Sequence, residues 1–216
     1  MTGAAAARER LRERLLEATL DHVPFDGWTR AALKAGARDA GIAPAMADNL
    51  FPGGGGEMIE FFNRLADRRM VEALEALDPA SMRVRDRIAT AIRLRLEQNA
   101  AHREAIRQGL AVLAMPQNAA LAARCLYRTV DAIWYAAGDR STDYNFYTKR
   151  GLLAAVYGST VLYWLNDNSE GFADSWAFLD RRIADVMRIP QTVGRIGRVA
   201  ERLPNPLRLF RRPTFR

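Results

Sequence analysis

The 216-residue chain has few of the residues that build disulfide frameworks and metal sites. It contains one cysteine, Cys125, and two histidines, His22 and His102, which lie far apart in the sequence. A single cysteine excludes an intramolecular disulfide and a cysteine-rich zinc site, and the two histidines lack a metal-binding spacing. Three aspartates between positions 131 and 143 have no histidine partner, so we expect neither a metal nor a cofactor.

Long apolar runs and period-two alternation are also missing. The longest stretch without charge or proline, Gly151 to Leu165, is shorter than the roughly 20 residues that a membrane-spanning helix needs. The first residues lack the apolar core of a signal peptide, and their glutamates argue against a transit peptide. Alanine, leucine and arginine dominate and apolar residues recur at helical spacing, which predicts an all-α, soluble or peripheral intracellular protein.

The net charge of +7 is confined to the carboxyl-terminal end. Residues 1–185 carry 24 basic and 24 acidic side chains, whereas residues 186–216 carry eight arginines and one acid, Glu201. This distribution excludes a globally basic domain wrapped in nucleic acid, because phosphate neutralisation needs basic side chains across the binding surface. The chain therefore has a neutral body and a cationic tail.

The cationic tail has the pattern of an amphipathic helix. On a helical wheel, residues 189–203 separate an apolar stripe from a cluster of arginines, which favours a helix lying on an anionic membrane surface. A helix docked on its own domain and an RNA-binding tail are the alternatives, and the apolar stripe argues against RNA. The predicted membrane residues are Ile189, Val193, Arg195, Ile196, Arg198, Val199, Arg202 and Leu203.

The order and spacing of the predicted helices and turns in residues 10–52 resemble those of the three-helix DNA-binding head of TetR-type regulators. Thr29 is the predicted N-cap of the second helix, and Gly41 supplies the turn that follows it. The short third helix carries Asp48 where these regulators present side chains to phosphates. Residues 1–57 contain seven basic and eight acidic side chains, a net charge of −1. We therefore predict a degenerate helix-turn-helix head that does not bind nucleic acid.

The densest aromatic segment runs from Asp131 to Arg150. Trp134 and Tyr135 are neighbours on a predicted helix and point about 100° apart, so they cannot both enter one core. Aromatic side chains beside charged ones are typical of binding hot spots, and burial of these aromatics in the core is the alternative. We predict that at least one of Trp134 and Tyr135 reaches a surface or an interface.

The helix from Gly151 to Leu165 carries no charge. Such a helix is expected to be buried on all sides, as a central core helix or a dimer helix. Its small residues are interspersed with large ones, and a second hypothesis is that they leave an apolar cavity for a hydrophobic ligand. We predict that Leu152, Val156, Tyr163 and Trp164 line that cavity.

Four segments together resemble the Coq-nine family of ubiquinone-biosynthesis accessory proteins. They are Val23–Thr29, Asp131–Asp143, Tyr147–Arg150 and Asp174–Leu179. The resemblance covers roughly residues 10–188, and the scarcity of lysine suggests a bacterial member. It implies a TetR-like all-α homodimer that does not use DNA, an apolar pocket for isoprenoid quinone-type lipids, and a carboxyl-terminal amphipathic helix that engages membranes.

The resemblance also implies a surface that docks the di-iron demethoxyubiquinone hydroxylase, and Asp131, Trp134 and Tyr135 fall within it. No nucleophile–base pair is apparent, so we expect a non-catalytic protein that takes quinone precursors from the membrane and presents them to the hydroxylase. The expected location is the cytoplasmic face of the inner membrane, or the mitochondrial matrix side in a eukaryote. The alternative function is a TetR-type regulator with a hydrophobic effector.

The predicted fold is therefore a TetR-like helical bundle with a degenerate head and a carboxyl-terminal amphipathic helix. Three parts are expected along the chain. They are the head (1–56), a ligand-binding and dimerisation body (57–188), and a cationic membrane-binding tail (189–216).

Overall fold

The computed structural model describes residues 3–138 and 145–200, without the side chains of 145–149 and 187–200. This part of the chain forms ten α-helices and no strand, which confirms the all-α prediction. The helices are α1 (Gly3–Leu20), α2 (Val23–Asp26), α3 (Arg30–Asp39), α4 (Pro44–Leu50), α5 (Gly54–Glu75), α6 (Val84–Glu97), α7 (Arg103–Leu113), α8 (Ala119–Ala136), α9 (Asn145–Trp164) and α10 (Ala173–Ala200).

Helices α1 to α4 build the amino-terminal head around an apolar core that they share with the first half of α5 and with α7. The predicted N-cap is confirmed, because the Thr29 hydroxyl accepts a hydrogen bond from the backbone N–H of Ala32 at 3.3 Å. Helices α1 and α3 cross at Gly36, where an added Cβ would lie 2.5 Å from the Thr19 hydroxyl oxygen. Only glycine allows this close approach of the two helices.

The glycine run at 53–56 does not break the chain between head and body. Helix α5 begins at Gly54, within the glycine run itself. An added Cβ on Gly55 would lie 2.0 Å from the Trp28 carbonyl oxygen, a distance that no side chain tolerates. The glycines therefore let the first turn of α5 pack directly against the backbone of the head.

Helices α5 to α10 form the body around a second apolar core, to which α9 contributes the fully buried Trp164. The carbonyl groups at the end of α9 lack partners within the helix. Arg103 donates hydrogen bonds to the carbonyl oxygens of Trp164 at 2.6 Å and Asp167 at 2.8 Å. Its guanidinium also lies 5.3 Å from the Trp164 ring and 5.0 Å from the Phe172 ring, so Arg103 ties α7 to the end of α9.

A buried carboxylate organises the turn between α9 and α10. Burial raises the pKa of Asp167, but hydrogen bonds from the hydroxyl and backbone N–H groups of Ser169 and Ser175 outweigh it and lower the pKa to about 2. Asp167 is therefore ionised at neutral pH and holds the first turn of α10 beside the end of α9.

Two features of the helices differ from what their sequences favour. Helix α9 is not buried on all sides by its own chain, since Leu162 is 60% exposed and Tyr163 is 39% exposed. The expectation of a fully buried core helix is therefore wrong, and that of a dimer helix stays a prediction. Helix α10 continues through Pro190 to Ala200 without a break. A proline removes its own N–H donor and clashes with the preceding turn, which disfavours a helix but does not always end it. No helix among the described residues is long and apolar enough to cross a bilayer.

Candidate functional site

A cavity of about 400 Å³ lies in the body between α5, α7, α8 and α9. Most of its wall is apolar, with Phe62 from α5, Leu110 from α7, Cys125 from α8 and Val161 from α9. Its volume is within the range of about 300–1,000 Å³ that small-molecule sites occupy. The cavity is therefore large enough to enclose part of an apolar ligand.

The cavity reaches the surface between α8 and α9. Leu126 and Leu162 both line the cavity, and their side chains are 38% and 60% exposed. Tyr163 and Tyr127 are exposed beside them on the same two helices. The side chains named at this opening are apolar or aromatic, so an apolar ligand that enters here meets Leu126 and Leu162 first.

Trp28 closes the end of the cavity nearest the head. Its indole N–H donates to the carbonyl oxygen of Ala105 at 2.9 Å, and its ring lies 5.8 Å from that of Phe62. Gly109 on α7 also lines the cavity, and an added Cβ there would lie 3.2 Å from the Trp28 indole nitrogen. The tryptophan of the Gly-Trp-Thr segment therefore helps form the site and joins the head to the body.

The other end of the cavity is polar and is built on a buried ion pair. Arg95 is 5% exposed, Asp67 is 7% exposed, and the Nε atom of Arg95 lies 2.8 Å from Oδ1 of Asp67. The Thr129 hydroxyl donates to the same carboxylate oxygen at 2.9 Å. Nη2 of Arg95 donates to the Asn63 side-chain oxygen at 3.0 Å. The residues of this end that line the cavity are Asn63, Arg95, Thr129 and Tyr157.

Cys125 of α8 also lines the cavity. It is buried, and burial raises the pKa of the Cys125 thiol above its ordinary value. The neighbouring carboxylate of Glu60 acts in the same direction. The thiol is therefore protonated at neutral pH and behaves as a small apolar part of the wall.

None of the four predicted pocket residues lines this cavity. Val156 and Trp164 are buried in the core of the body, and Leu152 is half-buried. Tyr163 lies at the surface, where its ring stacks on Phe178 of α10 at 4.6 Å.

The cavity is instead lined by a different face of the same helix. The α9 residues on that face are Tyr157, Gly158, Val161 and Leu162. The sequence pattern identified α9 as apolar around its circumference, but it contains no information about which face meets the gap between α5, α7 and α8.

The predicted docking residues lie at the carboxyl-terminal end of α8. The Asp131 carboxylate accepts hydrogen bonds from Nε and Nη2 of Arg150 at 3.0 and 2.6 Å, which joins α8 to α9. Trp134 is partly buried against the core, whereas Tyr135 is 68% exposed. The expectation that these two aromatics cannot both enter the core is confirmed. Their use as an interface stays a prediction.

The predicted membrane residues fall at the limit of the described chain. The backbone of α10 includes Ile189, Val193, Arg195, Ile196, Arg198 and Val199, whose side chains are not described. Arg202 and Leu203 lie outside the described residues. Within the residues that the structure describes, no group of three or more histidine, cysteine, aspartate or glutamate side chains is placed to hold a metal ion.

The ion pair at the polar end was missed although the sequence contains a signal for it. Arg95 lies on the buried face of α6, beside Ile88, Ile92 and Leu96. Asp67 likewise lies among buried apolar residues of α5. One opposite charge on each of two apolar faces indicates a buried pair, because an isolated buried charge is too costly.

Comparison with known proteins gives a consistent family. The family model described as COQ9 matches residues 119–190. The rat protein named "Ubiquinone biosynthesis protein COQ9, mitochondrial" is 35% identical over 91% of this chain. The COQ9-B protein of Xenopus laevis is 32% identical, and the match covers 90% of this chain and 69% of that protein. The chain spans 65% of the length of the rat protein.

Comparison with solved structures identifies the fold. The crystal structure of a TetR transcriptional regulator from Nitrosomonas europaea matches with a TM-score of 0.67. The match covers 81% of this chain and 97% of the regulator at 20% sequence identity. The TetR-like fold prediction is therefore confirmed. A likeness at this identity says nothing about DNA binding.

Proposed function

Because the chain belongs to the COQ9 family, whose relatives are named as ubiquinone biosynthesis proteins, we propose that it is a non-catalytic, lipid-binding accessory protein of that pathway. The observation that carries this proposal is the apolar cavity that opens between α8 and α9 at Leu126 and Leu162. The ligand class is an isoprenoid quinone-type lipid. The chain takes it from the membrane and presents it to the di-iron demethoxyubiquinone hydroxylase.

Transfer of such a lipid through water is opposed by its apolar surface. Each exposed CH₂ group costs about 0.8 kcal/mol, so a tail of several isoprene units does not leave a bilayer unaided. A dry cavity beside the membrane removes most of this cost for the part of the ligand that it encloses. The proposed role needs no chemistry from the protein, only a cavity, a route from the bilayer and a docking surface for the enzyme.

The thiol of Cys125 gives a direct test of occupancy, because it is the only cysteine of the chain and lies on the cavity wall. We expect farnesol, a short isoprenoid alcohol, at about ten times its dissociation constant to slow alkylation of Cys125 by N-ethylmaleimide about tenfold. The modified fraction is measured over time by intact-protein mass spectrometry.

A control places the thiol outside the cavity. In a Cys125→Ser, Ala177→Cys variant the cysteine lies at an exposed position of α10, and its alkylation should be fast and insensitive to farnesol. An unchanged rate at Cys125 with saturating isoprenoid contradicts the lipid-binding proposal. Extraction of the purified protein followed by mass spectrometry then identifies the lipid that it carries from the cell.

The cationic tail is proposed to hold the protein on an anionic membrane surface. Residues 186–216 carry a net charge of +7, and each arginine near such a surface contributes on the order of 1 kcal/mol. We expect removal of residues 189–216 to reduce co-sedimentation with phosphatidylserine-containing vesicles by about tenfold or more. Neutral phosphatidylcholine vesicles are the control, and equal binding by both forms to anionic vesicles overturns this role.

The surface at the end of α8 is proposed to dock the hydroxylase through Asp131, Trp134 and Tyr135. Tyr135 is the best position at which to test this docking surface. Trp134 also packs against the core, so its replacement would affect stability as well. Replacing the exposed Tyr135 with alanine should weaken binding to the hydroxylase by about 2 kcal/mol, or about thirtyfold, with no loss of stability. Phe25→Ala, which removes an exposed aromatic side chain from α2 of the head, is the matched control. Calorimetric titration that gives equal affinities for wild type and Tyr135→Ala removes Tyr135 from the interface.

The homodimer implied by the family is also a proposal. It is supported by the exposed tyrosines of α8 and α9, since a second copy can bury Tyr127 and Tyr163 beside the opening at Leu126 and Leu162.

The alternative function, a DNA-binding regulator, is not favoured by the head. Asp48 of α4 pairs with Nη1 of Arg30 at 2.7 Å, and Nη2 of Arg30 donates to the Pro52 carbonyl oxygen. Arg30 is therefore already paired with a carboxylate of the protein and is not free to contact a phosphate. Phosphate contacts supply most of the affinity of a protein for DNA, so a head of this charge is expected to bind it poorly.

A further inference from the structure

The polar end of the cavity contains an arginine whose hydrogen-bonding capacity is only partly used. A guanidinium has five N–H donors in a planar arrangement. In Arg95, Nε donates to Asp67, and Nη2 donates to Asn63 at 3.0 Å and to Thr129 at 3.4 Å. Among the described residues, Nη1 has no hydrogen-bond acceptor. Arg95 lines the cavity, so its two remaining donors are available to a ligand.

The charge at this end is already balanced. The carboxylate of Asp67 is buried against Arg95 and also accepts from Thr129, and Asp67 does not line the cavity. The pair therefore has a net charge of zero, although it presents N–H donors to the ligand. A second anion in the cavity would bury a net negative charge against an apolar wall, which is strongly unfavourable.

We infer that the Arg95–Asp67 pair makes this end a subsite for an uncharged, oxygen-bearing ring, whose carbonyl or ether oxygen accepts from Arg95, and that it excludes carboxylate and phosphate heads. This inference rests on the proposed lipid-binding function and names the part of the lipid that the cavity selects. The head lies at the level of Asn63, Arg95 and Tyr157, and the tail runs toward the opening at Leu126 and Leu162.

The inference has consequences for binding by the wild-type protein. Three probes carry an alkyl tail of nine or ten carbons and differ in the head: a fully substituted decyl-benzoquinone, decylbenzene without oxygens, and decanoate at pH 8. We expect the quinone to bind about tenfold or more tighter than either other probe, because decylbenzene leaves buried donors unsatisfied and decanoate adds a buried charge. Dissociation constants are measured by quenching of tryptophan fluorescence and by calorimetry.

A charge-changing variant tests the cause of the selectivity. In Asp67→Asn the amide oxygen still accepts from Arg95 and Thr129, but the negative charge is removed and the end of the cavity becomes cationic. We expect decanoate to bind about tenfold or more tighter to this variant than to wild type, while the affinity for the quinone changes less than about threefold. Glu13→Gln is the matched control, since Glu13 pairs with Arg68 at 2.6 Å on the surface.

The outcomes separate this inference from the function on which it rests. Equal binding of the quinone and decylbenzene by the wild type overturns the head subsite but leaves the lipid-binding function intact. Decanoate binding as tight as the quinone, or no gain in decanoate affinity in folded Asp67→Asn, overturns the role of the neutral pair. If Asp67→Asn does not fold, the order of the affinities of the three probes for the wild type still tests the head subsite. Failure of all three probes to bind overturns the proposed function itself and the inference with it.

Discussion

Replacing Gly158 with leucine is expected to abolish lipid binding without destabilising the protein. Gly158 lies on the cavity-lining face of α9, and apart from its own stretch of helix no atom lies within 4 Å of the position that its Cβ would take. A leucine side chain therefore enters the space that the ligand needs, and we expect affinity for isoprenoid probes to fall about a hundredfold or more, which corresponds to at least about 2.7 kcal/mol. Glycine in a helix interior costs roughly 0.5–1 kcal/mol relative to alanine, so stability is unchanged or slightly raised.

The same helix provides the control for this variant. Gly151 is also in α9, also has no atom within 4 Å of its Cβ position, and is exposed and away from the cavity. Gly151→Leu should give the same change in helix propensity and bind lipid as the wild type does. Urea unfolding and calorimetric titration measure both properties. Wild-type affinity in Gly158→Leu, or a loss of affinity accompanied by a lower unfolding free energy, contradicts the assignment of this cavity as the ligand site.

Replacing Arg95 with methionine is expected to lower the free energy of unfolding by about 3–5 kcal/mol. The change leaves the Asp67 carboxylate buried without the guanidinium 2.8 Å away, and it also removes the donor to Asn63. Domains of this size are stable by only about 5–15 kcal/mol, so the variant is expected to unfold at much lower urea concentration. Far-UV circular dichroism in a urea series measures this.

A double variant separates the lost packing from the uncompensated charge. Arg95→Met with Asp67→Asn leaves neither charge of the pair buried, and the amide oxygen still accepts from Thr129. We therefore expect the double variant to regain about half of the free energy of unfolding that Arg95→Met loses. Arg68→Met, which breaks a surface pair with Glu13, should cost less than about 1 kcal/mol. A loss of that small size for Arg95→Met would show that the pair does not organise the polar end of the cavity.

The periodicity of apolar residues was sufficient to predict that the body is helical, because a helix that packs on one side needs apolar residues every three to four positions. Local chemistry was sufficient to predict the Thr29 cap, which depends only on residues three apart. The role of the glycine run at 53–56 could not be predicted from local chemistry. It depends on Trp28, a residue distant in sequence that contacts Gly55 only after folding.

The sequence predicted which helix lines the cavity, but not which residues of that helix do so. An uncharged α9 indicated an apolar cavity, and the structure has one against that helix, but the lining face is that of Tyr157 and Val161 and not that of Val156 and Trp164. Which face of a helix is left without a packing partner depends on the crossing of its neighbours. That geometry is not encoded within the twenty residues of α9.

By itself, the sequence determined the all-α class, the neutral charge of the head and the position of all excess charge in the last 31 residues, because these follow from composition and from spacing within one helix. Only the tertiary structure decided where the cavity lies and what its polar end is. Arg95 and Asp67 are 28 residues apart in the chain and form a neutral donor site only where α5 and α6 pack together. A site built from one residue of each of several helices exists only in the folded chain.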